Sequence, residues 1–172
     1  MADLANNPNI LESMSKKIRG VAYGGGDIAQ HFGDVVASKT MLYTTIGSTE
    51  TGPYPMIRRK GSWVPEDWKY FQVHPTAGLE FRHVNENLYE IYIVKNQKEE
   101  EEQPVFKLFP DLKEYATNEL CSRHPSKPDL WTYEGRTDDM INLSTTMMAN
   151  PFCSRFFPLK PAKPQVSTLL RV

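Results

Sequence analysis

The sequence predicts an α/β protein in which a partial parallel sheet with flanking helices leads into an antiparallel, distorted barrel-like β subdomain. Three observations carry this. Two short apolar stretches, "RGVAY" and "MLYTTI", bracket a segment with helical spacing. That is a strand–helix–strand unit, usually a parallel pair. After Gly52 the chain turns aromatic and β-branched, with partial alternation and turn residues between the runs. No long helical segment separates those runs, as a continuing doubly wound sheet would require.

Element by element, "NPNILESMSKKIRG" reads as a short helix, with Asn7 or Asn9 as cap, Pro8 in the first turn and Gly20 at its end. "RGVAYGGG" is a strand running into a glycine turn. "DIAQHFGDVVASKT" is the second helix, with Asp27 as N-cap and Ile28, Phe32, Val35 and Val36 on one face. "MLYTTI" is the next strand, and "GSTETG" then places Glu50 at the tip of a small polar turn. "SWVPEDWKYFQV", "GLEFRHV" and "LYEIYIV" are the strands of a meander or small barrel, split by "HPTAG" and "NEN". The run "KNQKEEEEQP" is a solvated hairpin tip. "PDLWTYEGRTDDMINLS" gives a further strand pair with a turn near Gly135. Three regions result: 1–52 with the strand–helix–strand unit, 53–143 rich in β-strands, and a proline-containing, loosely ordered tail over 144–172.

Charge and composition narrow the function classes. The net charge is −1 over 172 residues, which gives no basis for a nucleic-acid or acidic-membrane partner. No apolar run reaches membrane-spanning length. Cys121 and Cys153 lie in no metal-type spacing, the N-terminus has no signal-peptide pattern, and a reducing, cytoplasmic setting is expected. His31, His74, His83 and His124 are scattered, without metal-ligand spacing.

Two segments are chemically suggestive. Gly24, Gly25 and Gly26 lie between strand and helix and, with Ala29, give G-x-G-x-x-A, a variant of the dinucleotide fingerprint. A nicotinamide-type oxidoreductase is therefore one reading and a plain tight turn another. Against the first, Ile46, Gly47, Ser48 and Thr49 intervene before the acidic Glu50, which should end the second strand directly. In "GSTETG", a carboxylate among hydroxyls and close backbone N–H groups suits a divalent cation beside phosphate oxygens, or else a solvated strand end.

The order of the pieces is more specific than any one of them. "GGGDIAQHFGDVV", "LYTTIGSTETGPYP", "WKYFQVHPTAGLEFRHV", "LYEIYIV", "QPVFKLFPDLKEYATNEL" and "HPSKPDLWTYEGRTDDMI" together resemble the adenylation domain of fungal NRPS-like enzymes, including adenylate-forming carboxylic acid reductases, over roughly residues 1–143. The resemblance implies a carboxylic acid substrate joined to AMP from ATP with loss of pyrophosphate, in fungal secondary metabolism. It implies that Gly24, Gly25 and Gly26 line the adenine and acyl pocket, that Thr49 binds the α-phosphate, and that Glu50 binds Mg²⁺. Arg136 would hydrogen-bond the ribose, and Asp138 would mark the hinge to a C-terminal lid. The ribose-binding Asp of the family's Thr-Gly-Asp motif is matched by Glu119 in Thr117-Asn118-Glu119, one methylene longer, with Asn118 where the family has a glycine of positive φ. The family's phosphate loop and lid lysine are not found in the sequence. The resemblance thus implies an internal fragment, inactive alone and prone to self-association through an exposed sheet, or a non-catalytic remnant or interaction module.

Overall fold

The computed structural model describes residues 1–57, 64–98, 100–138, 141–142 and 148–149. The chain divides into two compact units, Met1–Thr137 and Asp138–Val172.

The first unit opens with a short helix α1 (Ala2–Ala5), too brief for a periodic signal, then α2 (Pro8–Ser15). Pro8 occupies the first turn, where a missing N–H costs nothing. Asn7 is the N-cap by position, but its side chain donates to the Asp3 carbonyl at 2.7 Å. α2 stops before the expected Gly20 because the Met14 carbonyl takes N–H groups from both Lys17 and Ile18, at 2.9 and 3.1 Å, which tightens and closes the last turn. Gly20 instead begins β1 (Gly20–Tyr23), which leads through the glycine turn to α3 (Gln30–Ala37) and β2 (Met41–Thr44). β1 and β2 pair in parallel, Gly20 opposite Met41 through Tyr23 opposite Thr44.

α3 departs from expectation at both its start and its buried face. Ala29, not Asp27, is the N-cap, and Asp27 accepts the Ile28 N–H at 2.8 Å. Val36 is fully buried, but Val35 is 43% exposed, and Gly33 takes the place expected of it. The reason is Trp68. Its indole, 1% exposed, packs directly against α3 at Gly33 and donates to the Asp34 carboxylate at 2.9 Å. A side chain at 33 would occupy the indole's space. Leu11, Val36, Ala37, Leu42 and Trp68 form this half's core, where complete burial of a Leu or Val stabilises by about 1.5–3 kcal/mol.

β3 (Gly47–Ser48) and β4 (Gly52–Pro53) form a minimal antiparallel hairpin around Thr49, Glu50 and Thr51. The described part of "SWVPEDWKYFQV" is not the expected strand. Pro65 starts a 3₁₀ turn, Pro65–Asp67, and only isolated bridges follow, Phe71 with Trp131 and Val73 with Met56. Proline has no N–H for a ladder, and Trp68 turns away to α3. His124 Nε2 faces Asp67 at 3.4 Å and Lys127 pairs with the same carboxylate, fixing this turn to the β-sheet.

The main sheet is an antiparallel meander, β5 (Leu79–Asn85), β6 (Leu88–Val94), β7 (Glu114–Arg123) and β8 (Trp131–Arg136), paired in that order. The connection between the antiparallel neighbours β6 and β7 also holds a short helix α4 (Val105–Leu108), so the glutamate run lies in a long hairpin connection and not at a tight tip, with Glu101 and Glu102 exposed as expected of a solvated segment. Phe81 on β5 stacks on Trp131 of β8 with ring centroids 3.8 Å apart. Two strands lie between them, which in a flat sheet would separate the strands by roughly 14 Å. The sheet therefore curls strongly, in the sense of a barrel. Its concave side holds Ile91, Ile93, Phe106, Cys121 and Trp131.

The expected turn near Gly135 is also corrected: β8 runs straight through it. Tyr133 pairs with Cys121 but Gly135 with Leu120, so Glu134 is an extra, bulged residue, and Gly135 has φ +138, outside the range comfortable for a side chain. In the second unit, β9 (Ile141–Asn142) pairs antiparallel with β10 (Met148–Ala149). The remainder of the tail lies outside the described residues. Among the described residues, no helix is long and apolar enough to cross a membrane.

Candidate functional site

The end of β1, the end of β2, the start of the hairpin and the β7–β8 pair converge on one cleft of about 220 Å³. Its floor is the glycine turn. The Tyr23 carbonyl accepts the Thr45 N–H at 2.7 Å and the Thr45 hydroxyl at 3.0 Å, carrying the β1–β2 pairing one residue further. This brings Gly24 so close to Thr45 that a Cβ would lie 2.6 Å from its Oγ1 and 2.8 Å from its carbonyl oxygen. Gly25 then turns with φ +75. The result is bare backbone facing the cleft at Gly24, Gly25 and Gly26, which a flat ring can approach.

The opposite wall is β7 against β8. Glu119 and Arg136 are direct cross-strand partners and both line the cleft. Glu119 is only 6% exposed. It accepts a hydrogen bond at 2.9 Å from the hydroxyl of Tyr54, itself buried, and its own N–H donates to Thr117 Oγ1 at 3.1 Å. Burial pushes the Glu119 carboxyl above the usual carboxylate range, opposed by the Tyr54 hydroxyl and the Arg136 charge. Asn118 has φ +61, the left-handed conformation that Asn tolerates better than most residues.

Thr49 and Glu50 are at the hairpin tip, beside the cleft and not among its lining residues; Gly47 and Ser48 of the hairpin line it. Thr49 is exposed and Glu50 half-buried. The Ser48 hydroxyl donates to Glu50 at 2.7 Å, and Thr51 Oγ1 accepts the Ser48 N–H at 2.9 Å. The Ser48 bond, then the residue's own backbone N–H and the charge of Arg136, hold the Glu50 carboxyl below its ordinary range. It is therefore an anion at neutral pH. Among the described residues no group of three or more His, Cys, Asp or Glu side chains gathers to hold a metal. One ionised carboxylate fits Mg²⁺ of the kind that keeps its waters and takes most ligands from substrate phosphates.

Six sequence-predicted residues thus meet around one region: Gly24, Gly25, Gly26, Glu119 and Arg136 on the cleft, and Glu50 within electrostatic reach of Arg136. Asp138 belongs to the second unit, whose boundary falls immediately before it. Sequence reasoning did not anticipate Lys69, Thr45, Thr132 and Tyr133 on the cleft wall, nor Tyr54 behind Glu119. Lys69 is a second cation there, delivered by the 3₁₀ turn that Trp68 anchors. All five lie within segments that carry the resemblance, but nothing local marks them as cleft residues; the fold brings them there.

No family model matches the sequence. Among curated proteins, the chain is 35% identical to the carboxylic acid reductase of Neurospora crassa over 156 residues, covering 84% of this chain and 14% of that protein. It is 33% identical to the adenylate-forming reductase Nps10 of Heterobasidion annosum, covering 86% of this chain and 13% of the relative. It is 27% identical to the isocyanide synthase–NRPS hybrid crmA of Aspergillus fumigatus over 172 residues, 11% of that protein. The chain therefore spans about one seventh or less of these relatives. Among solved structures, the amide bond synthetase McbA of Marinactinospora thermotolerans shares the fold, with a TM-score of 0.56 at 13% identity, over 83% of this chain and 33% of that one.

Proposed function

The chain is a homologue of a segment of the fungal adenylate-forming, NRPS-like enzymes, and from that premise we propose that its cleft is one wall of the nucleotide site of an acyl-adenylate-forming domain. The reaction of such a domain converts a carboxylic acid and ATP into an acyl-adenylate and pyrophosphate. The observation that carries the reading is the meeting, in one cleft, of a bare glycine turn with a carboxylate–guanidinium pair, next to a hydroxyl-rich hairpin bearing an ionised Glu.

Each part then has a role its chemistry supports. Gly24, Gly25 and Gly26 offer backbone for the adenine ring. Glu119 and Arg136 hold the ribose hydroxyls, the carboxylate accepting and the guanidinium donating. Thr49 donates to the α-phosphate. Glu50 is the residue that would hold Mg²⁺; when bound, the metal neutralises charge on the phosphates. Lys69 and Arg136 add positive charge on the same wall. Asp138, at the unit boundary, is the proposed hinge.

The phosphate loop and the lid lysine that the reaction draws on are not among these 172 residues. We expect the chain by itself to bind nucleotide without turnover, because groups that act together lose far more than their separate shares when some are missing. Calorimetric titration with AMP, ATP with Mg²⁺, and a nicotinamide dinucleotide tests the reading. Saturable binding of the adenylates and none of the dinucleotide is expected. Dinucleotide binding without AMP binding would overturn it in favour of the fingerprint reading of the glycine turn.

A further inference from the structure

Behind the cleft, Tyr54 does something that the position of Glu119 alone does not explain. It follows the hairpin, is 6% exposed, and its ring is part of the sheet's apolar core. Its hydroxyl points away from that core, onto one oxygen of Glu119 at 2.9 Å. The backbone N–H of Tyr54 donates to the Ile46 carbonyl at 2.9 Å, across the base of the hairpin that presents Glu50. Tyr54 thus joins the hairpin, through its backbone, to the carboxylate on β7, through its phenol.

Resting on the nucleotide reading above, we propose that Tyr54 is a positioning residue for Glu119, fixing one carboxylate oxygen so that the other faces the ribose diol. A carboxylate on a flexible Glu side chain can rotate; one held at 2.9 Å by a buried donor loses that freedom before the ligand arrives. The bond also offsets part of the desolvation of a carboxylate only 6% exposed, keeping it available as an acceptor. The charged and titratable groups around Glu119 are Arg136 opposite on β8, Lys69 and Asp27 on the cleft wall, and Cys121 two residues along β7. Tyr54 donates its hydrogen bond to the carboxylate from behind the cleft, at 2.9 Å. The extra methylene of Glu119 relative to the family's Asp acquires a purpose here. Shortened to Asp, the carboxylate withdraws from the Tyr54 hydroxyl.

The test uses Tyr54→Phe, which removes one oxygen and keeps the ring in the core, with Glu119→Asp as a second variant that leaves Tyr54 intact. Two readouts are compared with wild type: the Glu119 titration midpoint by carbon-13 NMR, assigned with Glu119→Gln, and the affinity ratio of AMP to 2′,3′-dideoxy-AMP. The expected result is a higher midpoint in Tyr54→Phe, a ribose preference reduced several-fold in both variants, and no further loss when Tyr54→Phe is added to Glu119→Gln. An unchanged midpoint and an unchanged ratio in Tyr54→Phe would overturn the assignment. Wild-type protein that binds AMP and dideoxy-AMP equally would also overturn it, since Glu119 would then not face the diol. Failure of wild type to bind AMP at all is a different outcome, and it refutes the nucleotide reading itself.

Discussion

Gly33→Ala sets two effects of opposite sign against each other. Gly33 is interior to α3, where Ala in place of Gly stabilises a helix by about 0.5–1 kcal/mol. The structure argues the reverse sign. A Cβ at 33 would stand 2.5 Å from Trp68 Cε2 and nearer still to Cζ2 and Cη2. The indole is 1% exposed and held to Asp34, so it cannot swing aside as a surface side chain would. Overpacking of a filled core costs about 1–3 kcal/mol, and pulling Trp68 off Asp34 adds roughly 1 kcal/mol for the hydrogen bond. The steric side wins, and the net expectation is a loss of about 1–3 kcal/mol. Urea denaturation should show a lower midpoint at constant slope. Trp68→Phe in the same background gives room back at the contact, so the double variant should lose less than the sum of the singles, with a coupling of order 0.5–3 kcal/mol. Strict additivity, or a Gly33→Ala protein more stable than wild type, would refute the packing argument. Because Lys69 directly follows Trp68 and lines the cleft, weakened nucleotide binding in the same variant is the accompanying expectation.

Three further outcomes can be measured. Glu50→Gln should weaken ATP binding several-fold in the presence of Mg²⁺ and AMP binding without metal much less; equal effects on the two would remove Glu50 from the metal. Glu119 has a folded-state pKa above its unfolded one, so the folded protein binds the extra proton. Its contribution to stability is therefore full below the unfolded value and is lost as pH rises through the folded value. Glu119→Gln should flatten that fall in a series of thermal melts, whereas Glu50 and Glu114, both held low, contribute stability that is lost as pH falls. The 172-residue chain should give no ATP–pyrophosphate exchange with aryl, keto or amino acids, and exchange abolished by Glu50→Ala in a monomeric sample would show the chain to be a complete catalyst.

What could be read in advance, and what could not, follows physical lines. β1, β2, β5 and β6 carry apolar or β-branched runs, and α2 carries Pro8 in its first turn, so each left a local signal. β7 did not. "EYATNELCSR" holds Asn, Thr and two Glu, and buries Thr117 and Glu119 in the middle of a strand. Those polar groups are tolerated because Thr117 donates to the Ile91 carbonyl at 2.8 Å and Tyr54 reaches Glu119, contacts 26 and 65 residues apart in sequence. The segment around Trp68 looked like a strand because its aromatics suit one, yet Pro65 and the Gly33 surface decided otherwise. Of the site, "GGG" and "GSTETG" were visible as motifs. Glu119 and Arg136 were visible through the resemblance, and Lys69 and Tyr54 only after folding.

The bulge at Glu134 sets the parity of β8. Counting back from Trp131 opposite Arg123, an unbroken ladder would bring Gly135 opposite Glu119 and carry Arg136 on to Asn118, with its side chain on the other surface of the sheet. One supernumerary residue resets the count, and the guanidinium meets the carboxylate. The pairing of acid and base at the cleft thus depends on how β8 accommodates Glu134 as much as on residue identity. Deleting Glu134 would straighten β8 into an unbroken ladder with Arg136 still opposite Glu119, so what the bulge secures is that the extra residue is absorbed without parting the two.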